Sequence, residues 1–207
     1  MQKKKKRKRF SKNVFTDKYS SFISNPEYVA EHMTNTILDL GDFNTAVELC
    51  SCVGSTCIQL AKRFEKVIGI DINKKRIEMA RKNARLYKAN NIEFIKGDVL
   101  NPKLLKTIKA DVAVLDPGWS TRVMDRSSHV SDIDSTKPSL RKMFNLTCKC
   151  ITKNIVARIP ATFKTHIIEK LGNCKIENIY IKDELVFKIA YFLINSDQTY
   201  QEDIFFK

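Results

Sequence analysis

The chain has 207 residues, 43% of them hydrophobic, which is enough for one globular domain with a full core and too much for a disordered protein. Lys and Arg outnumber Asp and Glu by 37 to 23, and the formal charge of +14 points to a polyanionic partner, RNA or DNA. No apolar run approaches the roughly 20 residues of a membrane-spanning helix, and the basic N-terminus lacks the apolar stretch of a secretory signal, so no membrane contact is expected.

Residues 1–24 form a first unit. Its run Lys3-Lys4-Lys5-Lys6-Arg7-Lys8-Arg9 reads as a nuclear localisation signal, a phosphate-binding arm, or both. The aromatics that follow, Phe10, Phe15, Tyr19 and Phe22, are expected to pack on the body, with the segment partly disordered or touching substrate. Residues 25–207 form the second unit. Asn25-Pro26-Glu27 reads as a helix start, with Asn25 as the cap and Pro26 at the first helical position. Val29, Met33, Ile37 and Leu40 carry the apolar stripe until Gly41 ends it.

Strands and helices then alternate: a strand over 45–50, a turn at Val53-Gly54-Ser55, a helix over 56–64 and a strand over 66–71. A helix over 74–89, a strand over 92–95, a short helix over 102–108 and a strand over 111–115 continue the series. The segment from Trp119 to Lys137 is polar and long enough to be a binding loop. Beyond it the pattern predicts a helix over 138–150, a strand over 154–159 and a helix over 163–171. Two late strands, 175–182 and 185–194, read as an antiparallel pair turning at Asp183-Glu184. The six cysteines suggest neither a disulfide framework nor zinc, because Cys50-x-Cys52 and Cys148-x-Cys150 are spaced too closely for paired ligands and no histidine lies near either. No metal is expected.

A strand–helix series of this kind implies a mostly parallel sheet with helices on both faces. A terminal antiparallel hairpin on such a sheet is the pattern of the class I methyltransferase, a Rossmann-like α/β fold. Three carboxylates, Glu48, Asp71 and Asp98, fall toward the ends of successive strands. Asp71 can accept both ribose hydroxyls of an adenosine cofactor and Asp98 the adenine amine, while acids near the first turn suit a cationic sulfonium and amino group. These features point to S-adenosylmethionine. A dinucleotide is disfavoured because the first turn, Cys50 to Ser55, holds one glycine and no G-x-G-x-x-G. Asp116-Pro117-Gly118-Trp119 then places a carboxylate, a rigid turn and the only tryptophan at a strand's carboxyl end, where ligands of such sheets bind. A flat nucleobase fits that description.

Together these segments resemble trimethylguanosine synthases. The likeness runs through Phe22–Glu27 with Val29–His32, Val47–Glu48 to Ile58–Gln59, Val67–Ile72, Ala80–Ala84, Ile92–Asp98, Ala110–Val112, Pro117–Trp119 and Asn154–Val156. The resemblance implies methylation of the exocyclic N2 of the 7-methylguanosine cap on small nuclear and nucleolar RNAs, by a monomer in the nucleus. It implies cofactor contacts at Asn25, Glu48, Gly54, Asp71, Ile72 and Asp98, a reacting centre at Asp116, Pro117 and Trp119, base stacking on Trp119, and cap phosphates near Arg158. The family motif usually reads Ser-Pro-Pro-Trp-Gly-Gly, where this chain has Asp116-Pro117-Gly118-Trp119-Ser120-Thr121. The first-strand acid is commonly Asp, here Glu48, and the glycine-rich turn carries Cys52 and Ser55. Asp-Pro-Pro-aromatic motifs also mark amino methyltransferases acting on internal bases, which stands as the second reading. A non-catalytic cap- or RNA-binding protein on the same scaffold is the third.

Overall fold

A computed structural model describes residues 8–119, 132–193 and 198–207. Helices α1 (Lys18–Ile23) and α2 (Glu27–Leu40) lead into β1 (Thr45–Leu49), α3 (Ser55–Leu60), β2 (Lys66–Asp71), α4 (Lys74–Tyr87) and β3 (Ile92–Lys96). Next come α5 (Pro102–Leu105), β4 (Val112–Leu115), α6 (Leu140–Cys150), β5 (Ile155–Pro160) and α7 (Thr165–Ile168). Three strands close the chain, β6 (Lys175–Ile181), β7 (Glu184–Phe192) and β8 (Tyr200–Phe206). The sheet order is β3-β2-β1-β4-β5-β7-β6-β8. The first five of these strands are parallel, β7 runs antiparallel to both neighbours, and β8 is parallel to β6. The mostly parallel sheet with a C-terminal antiparallel hairpin is therefore as expected.

The central strands are apolar almost throughout because helices cover both their faces. Alternation along each strand divides the core in two. Val47, Leu49, Ile68, Ile70, Ala113, Leu115, Ile155 and Ala157 pack with Leu105, Met143, Phe144 and Ile168 from α5, α6 and α7. Ala46, Val67, Val112, Val114 and Val156 pack with Val29, Met33, Cys57, Leu60 and Ile77 from α2, α3 and α4. Gly54 opens α3 at φ +81°, and a Cβ there would stand 2.9 Å from the Phe94 ring, so the turn requires glycine. Among the described residues, no helix is long and apolar enough to cross a membrane.

Four local differences from the sequence reading have physical causes. Helix α2 begins at Glu27, because Pro26 is extended at ψ 141° and serves as the cap position. The Pro26 carbonyl accepts from Val29 and Ala30, and Asn25 is not the cap. The helix expected over 163–171 shortens to α7 and one further turn, since Phe163 is drawn wholly into the core before the helix starts. Strand β8 is an element the sequence reading did not include, and it contains the polar Gln201-Glu202-Asp203 tract. It is fastened to β6 by Lys175–Glu202 at 2.6 Å, Asn178–Asp203 at 2.9 Å and the stacked Tyr180 and Phe205 rings. Helix α1 was also unforeseen, although Asp17 caps it by accepting from the Ser20 amide at 2.6 Å.

Residues 8–24 form a strap bound across α4. The Asn83 side chain accepts from the Phe15 N–H at 2.7 Å and donates to the Phe15 and Val53 carbonyls at 2.9 and 3.0 Å. Lys3–Arg7, most of the loop from Trp119 to Lys137 (residues 120–131, including Ser120 and Thr121) and Ile194 lie outside the described residues.

Candidate active site

Strand register sets how deep each acid sits. Glu48 lies opposite Gly69 and Val114, and Val114 lies opposite Val156. Two residues farther on, the same sheet face carries Asp71, Asp116 and Arg158 at the carboxyl edge. The sheet reverses its order there, between β1 and β4, where open α/β sheets form their ligand crevice. A cavity of about 660 Å³ opens at this edge, within the range of small-molecule sites.

One half of the cavity is walled by Cys50, Cys52, Asp71, Ile72, Arg76, Asp98 and Val99. Asp71 is 4% exposed and accepts from the Cys52 amide at 3.0 Å and the Asn73 amide at 2.8 Å. Burial raises its pKa, against these bonds and the nearby Arg76. Asp98 is exposed and uses one oxygen to accept from the Leu100 amide, which leaves acceptor capacity beside the exposed Ile72. Such a wall can take hydroxyl and amine donors together with a flat ring. Cys50 and Cys52 both have left-handed backbones, φ 70° and 50°, where glycine is favoured. Burial pushes both thiols up in pKa, so neither is an activated nucleophile.

Three expected residues are not on this wall. Glu48, two residues below the edge, is 2% exposed and accepts at Oε2 from the Cys57 amide at 3.0 Å and the Cys57 thiol at 2.9 Å. Burial first, and the Asp116 carboxylate next among the raising influences, lift its pKa to about 8 despite those bonds. It fixes the start of α3 as a neutral acid. Gly54 shapes the turn from behind. Asn25 is 2% exposed, its side-chain oxygen has no partner among the described residues, and its carbonyl accepts from the Ser55 hydroxyl at 2.6 Å.

The other half is walled by Asp116, Pro117, Gly118, Trp119, Lys137, Arg158 and Phe187. Gly118 and Lys137 exchange two backbone hydrogen bonds of 2.8 Å, which pins the turn carrying Trp119. The indole is half-buried, tilted 54° to the Phe187 ring at 6.0 Å, and its N–H is buried with no partner among the described residues. Arg158 donates to Asp116 at 2.9 Å and to the Ile23 carbonyl at 2.8 Å. Burial raises the pKa of Asp116 while Arg158 opposes the shift.

The strap supplies wall residues that the sequence did not single out as site residues. Arg9 donates to the Phe22 and Ser24 carbonyls at the end of α1, next to the Ile23 carbonyl that Arg158 holds. Tyr19 and Phe22 of α1 line the cavity, and the Arg76 guanidinium sits 4.9 Å from the Tyr19 ring. Phe22, expected to pack on the body, is 45% exposed. The Asp17 cap was the one local signal for α1; the arginine contacts span more than a dozen residues and leave no local pattern.

A family model described as RNA cap guanine-N2 methyltransferase matches residues 43–196. Trimethylguanosine synthase of Schizosaccharomyces pombe is 30% identical over 116 residues, covering 54% of this chain and 48% of that protein. A tRNA (uracil(54)-C(5))-methyltransferase of Pyrococcus horikoshii is 33% identical over 98 residues, covering 47% of this chain and 23% of that one. The chain thus spans less than half the length of either relative. An RNA methyltransferase from Salinibacter ruber, solved with S-adenosyl-L-homocysteine, shares the fold with a TM-score of 0.55 at 17% identity, covering 83% of this chain and 94% of that one. With a matching model across strands β1 to β7, this chain belongs to the RNA cap guanine-N2 methyltransferase family and carries the class I, S-adenosylmethionine-dependent methyltransferase fold.

Proposed function

We propose that this protein methylates the exocyclic N2 of guanine in a 7-methylguanosine RNA cap, using S-adenosylmethionine. Capped RNA of the small nuclear or nucleolar type is the substrate, and the protein acts as a monomer in the nucleus. The observation that carries this reading is the single cavity joining the Asp71 and Asp98 wall to the Trp119 wall in a chain of this family.

The residues fit the cofactor, since buried Asp71 and exposed Ile72 stand side by side on the cavity wall with acceptor capacity and apolar surface. When bound, S-adenosylmethionine supplies an electrophilic methyl group on a cationic sulfur. Asp71 accepts from ribose hydroxyls, Asp98 from the adenine amine, and Ile72 covers the ring. Trp119 stacks on the target base, a contact worth on the order of 1–3 kcal/mol, and Pro117 fixes the turn that aims it. Much of the acceleration then comes from orientation. Asp116 accepts from Arg158 at Oδ1 and so orients that guanidinium. The positive charge of a 7-methylated ring acidifies N2, so its proton needs only a weak acceptor. Arg9 and Lys137 attract the cap phosphates.

Tritiated cofactor with a 7-methylguanosine cap analogue tests the reading, with Asp71→Ala as control. Absence of transfer while the cofactor binds normally would overturn it. The likeness to a tRNA methyltransferase favours a second reading, methylation of internal RNA bases. Transfer to uncapped structured RNA, undiminished by Trp119→Ala, would select it. Calorimetry showing cap binding without cofactor binding would select a non-catalytic binder, which the left-handed Cys52 in the cofactor turn keeps open.

A further inference from the structure

The positive charge of this chain is confined to two stretches. Residues 1–24 hold nine Lys or Arg against one Asp, and residues 74–88 hold seven against one Glu. The rest of the chain has 21 of each sign, so these two stretches carry the whole formal charge of +14. They are distant in sequence, yet the described part of the first lies on the second. Lys12 donates to the Leu86 carbonyl at 2.8 Å, Phe15 is bonded to Asn83, and the Tyr19 ring lies 4.9 Å from the Arg76 guanidinium. The strap therefore runs back along α4 and reaches the cavity, which Tyr19 and Arg76 both line.

Lys74, Lys75, Arg81, Lys82 and Arg85 of α4 and Lys88 at its C-cap are exposed, and Glu78 is the only acid of the helix. Among the described residues none of these cations makes a salt bridge. Lys74, Lys75 and Arg76 fill the first turn with no acid beside them, although the helix dipole disfavours cations at that end. A surface serving only solubility has no reason to carry that cost. Aromatic rings are interleaved with the charge. Phe15 is 48% exposed with the Lys82 ammonium 5.4 Å from its centre, and Phe22, on the cavity wall, is 45% exposed.

We propose that the face formed by α4 and the strap binds the single-stranded RNA that follows the cap, with its cations on the phosphates and Phe15 stacking a base. The inference rests on the cap-guanine reading above and extends the substrate site beyond the cavity. The 14 residues of α4 span about 21 Å, roughly the length of six stacked nucleotides. Cations alone would suit any polyanion. Exposed rings between them suit a chain that also has bases to stack, which an acidic polypeptide lacks.

Calorimetry on the full chain tests this with a 7-methylguanosine cap dinucleotide, a capped single strand of about 20 nucleotides and its uncapped counterpart, between about 50 and 200 mM salt. Lys74→Gln, Lys75→Gln and Arg85→Gln together remove three cations that do not line the cavity, two of them from an unfavourable helix end. For the capped strand, the slope of log affinity against log salt should become shallower by about 2, and affinity at about 0.1 M salt should fall at least about tenfold. Affinity for the dinucleotide, and methyl transfer to it, should not change. Phe15→Ala should weaken the capped strand about five- to hundredfold with the slope unaltered.

An unchanged slope and affinity for the capped strand in the triple variant overturns the inference. So does an equal loss on the dinucleotide, which would place the effect in the cap site. Unchanged affinity in Phe15→Ala, or a polyglutamate chain bound as tightly and with the same slope, overturns it by assigning the face to any polyanion. If the dinucleotide fails to bind but the uncapped strand binds and responds to the triple change, the cap reading falls and the RNA face stands. If the dinucleotide binds and the capped strand binds no tighter, the cap reading stands and this inference fails. If neither dinucleotide nor strand binds, both fall.

Discussion

Oδ1 of Asp116 and Nε of Arg158 stand 2.9 Å apart, with side chains only 13% and 8% exposed. The pair joins the carboxyl ends of β4 and β5, because both residues extend the same face of adjacent parallel strands. Through the Ile23 carbonyl it also reaches α1, so one guanidinium links the turn that carries Trp119 to the strap.

Breaking that pair from one side leaves a buried charge uncompensated. Arg158→Met is expected to lower stability by about 3–5 kcal/mol, and the double change of Asp116→Ser with Arg158→Met by much less. Urea denaturation of the three proteins measures both. A loss under about 1 kcal/mol for Arg158→Met would show the pair to behave as a solvated one.

Glu48 predicts a pH dependence of the opposite sign to that of a salt-bridged acid. Its folded pKa of about 8 lies above the usual 4.5, so between these values the folded state holds a proton that the unfolded chain has released. Stability contributed by this group therefore falls as pH rises through that window and is level above it. Glu48→Gln keeps an acceptor for the Cys57 amide. It should flatten the slope and add roughly 2–5 kcal/mol at alkaline pH. Denaturation midpoints from pH 5 to pH 9 check this; parallel curves for the two proteins would refute it.

Cys52 holds a left-handed backbone on the cavity wall, a conformation costing a side chain about 1 kcal/mol that glycine avoids. Cys52→Gly relieves this and frees space beside Asp71. Net stability should change by less than about 1 kcal/mol, since glycine also loosens the unfolded chain. Affinity for S-adenosylmethionine, measured by calorimetry, should rise about three- to tenfold. Weaker binding would place the Cys52 side chain among the cofactor's favourable contacts.

Asn83 is 1% exposed and makes three hydrogen bonds, of which the two to Phe15 hold the strap to α4 and the third reaches the Val53 carbonyl. Asn83→Ala is expected to cost about 1–3 kcal/mol. It should also speed proteolytic cleavage within residues 8–24 and weaken cap binding, because Arg9, Tyr19 and Phe22 lose their support. Unchanged cleavage would show that the arginine contacts alone retain the strap.

Much of the architecture was legible because its causes are local. Apolar runs at Ala46–Leu49, Val67–Ile70 and Val112–Leu115, separated by helical stripes, specify a parallel sheet covered on both faces. The positions of Asp71, Ile72 and Asp98 after strand ends placed them on the cavity wall, and Asp116 to Trp119 followed from β4 in the same way. Strand β8 was hidden because Gln201-Glu202-Asp203 has no apolar period; its pairing depends on partners more than twenty residues away.

What the sequence determined by itself was the set of elements and the strand ends that carry chemistry, since periodicity and turn residues act over a few neighbours. Tertiary structure alone decided depth and pairing. Glu48 looks like a third strand-end acid, yet parallel register sets it two residues below Asp71 and Asp116, where burial keeps it protonated near neutral pH. Arg158 looks like a solitary phosphate ligand, yet the same register brings it against Asp116 and Trp119. A register is a relation between strands far apart in the chain, and no local pattern encodes it.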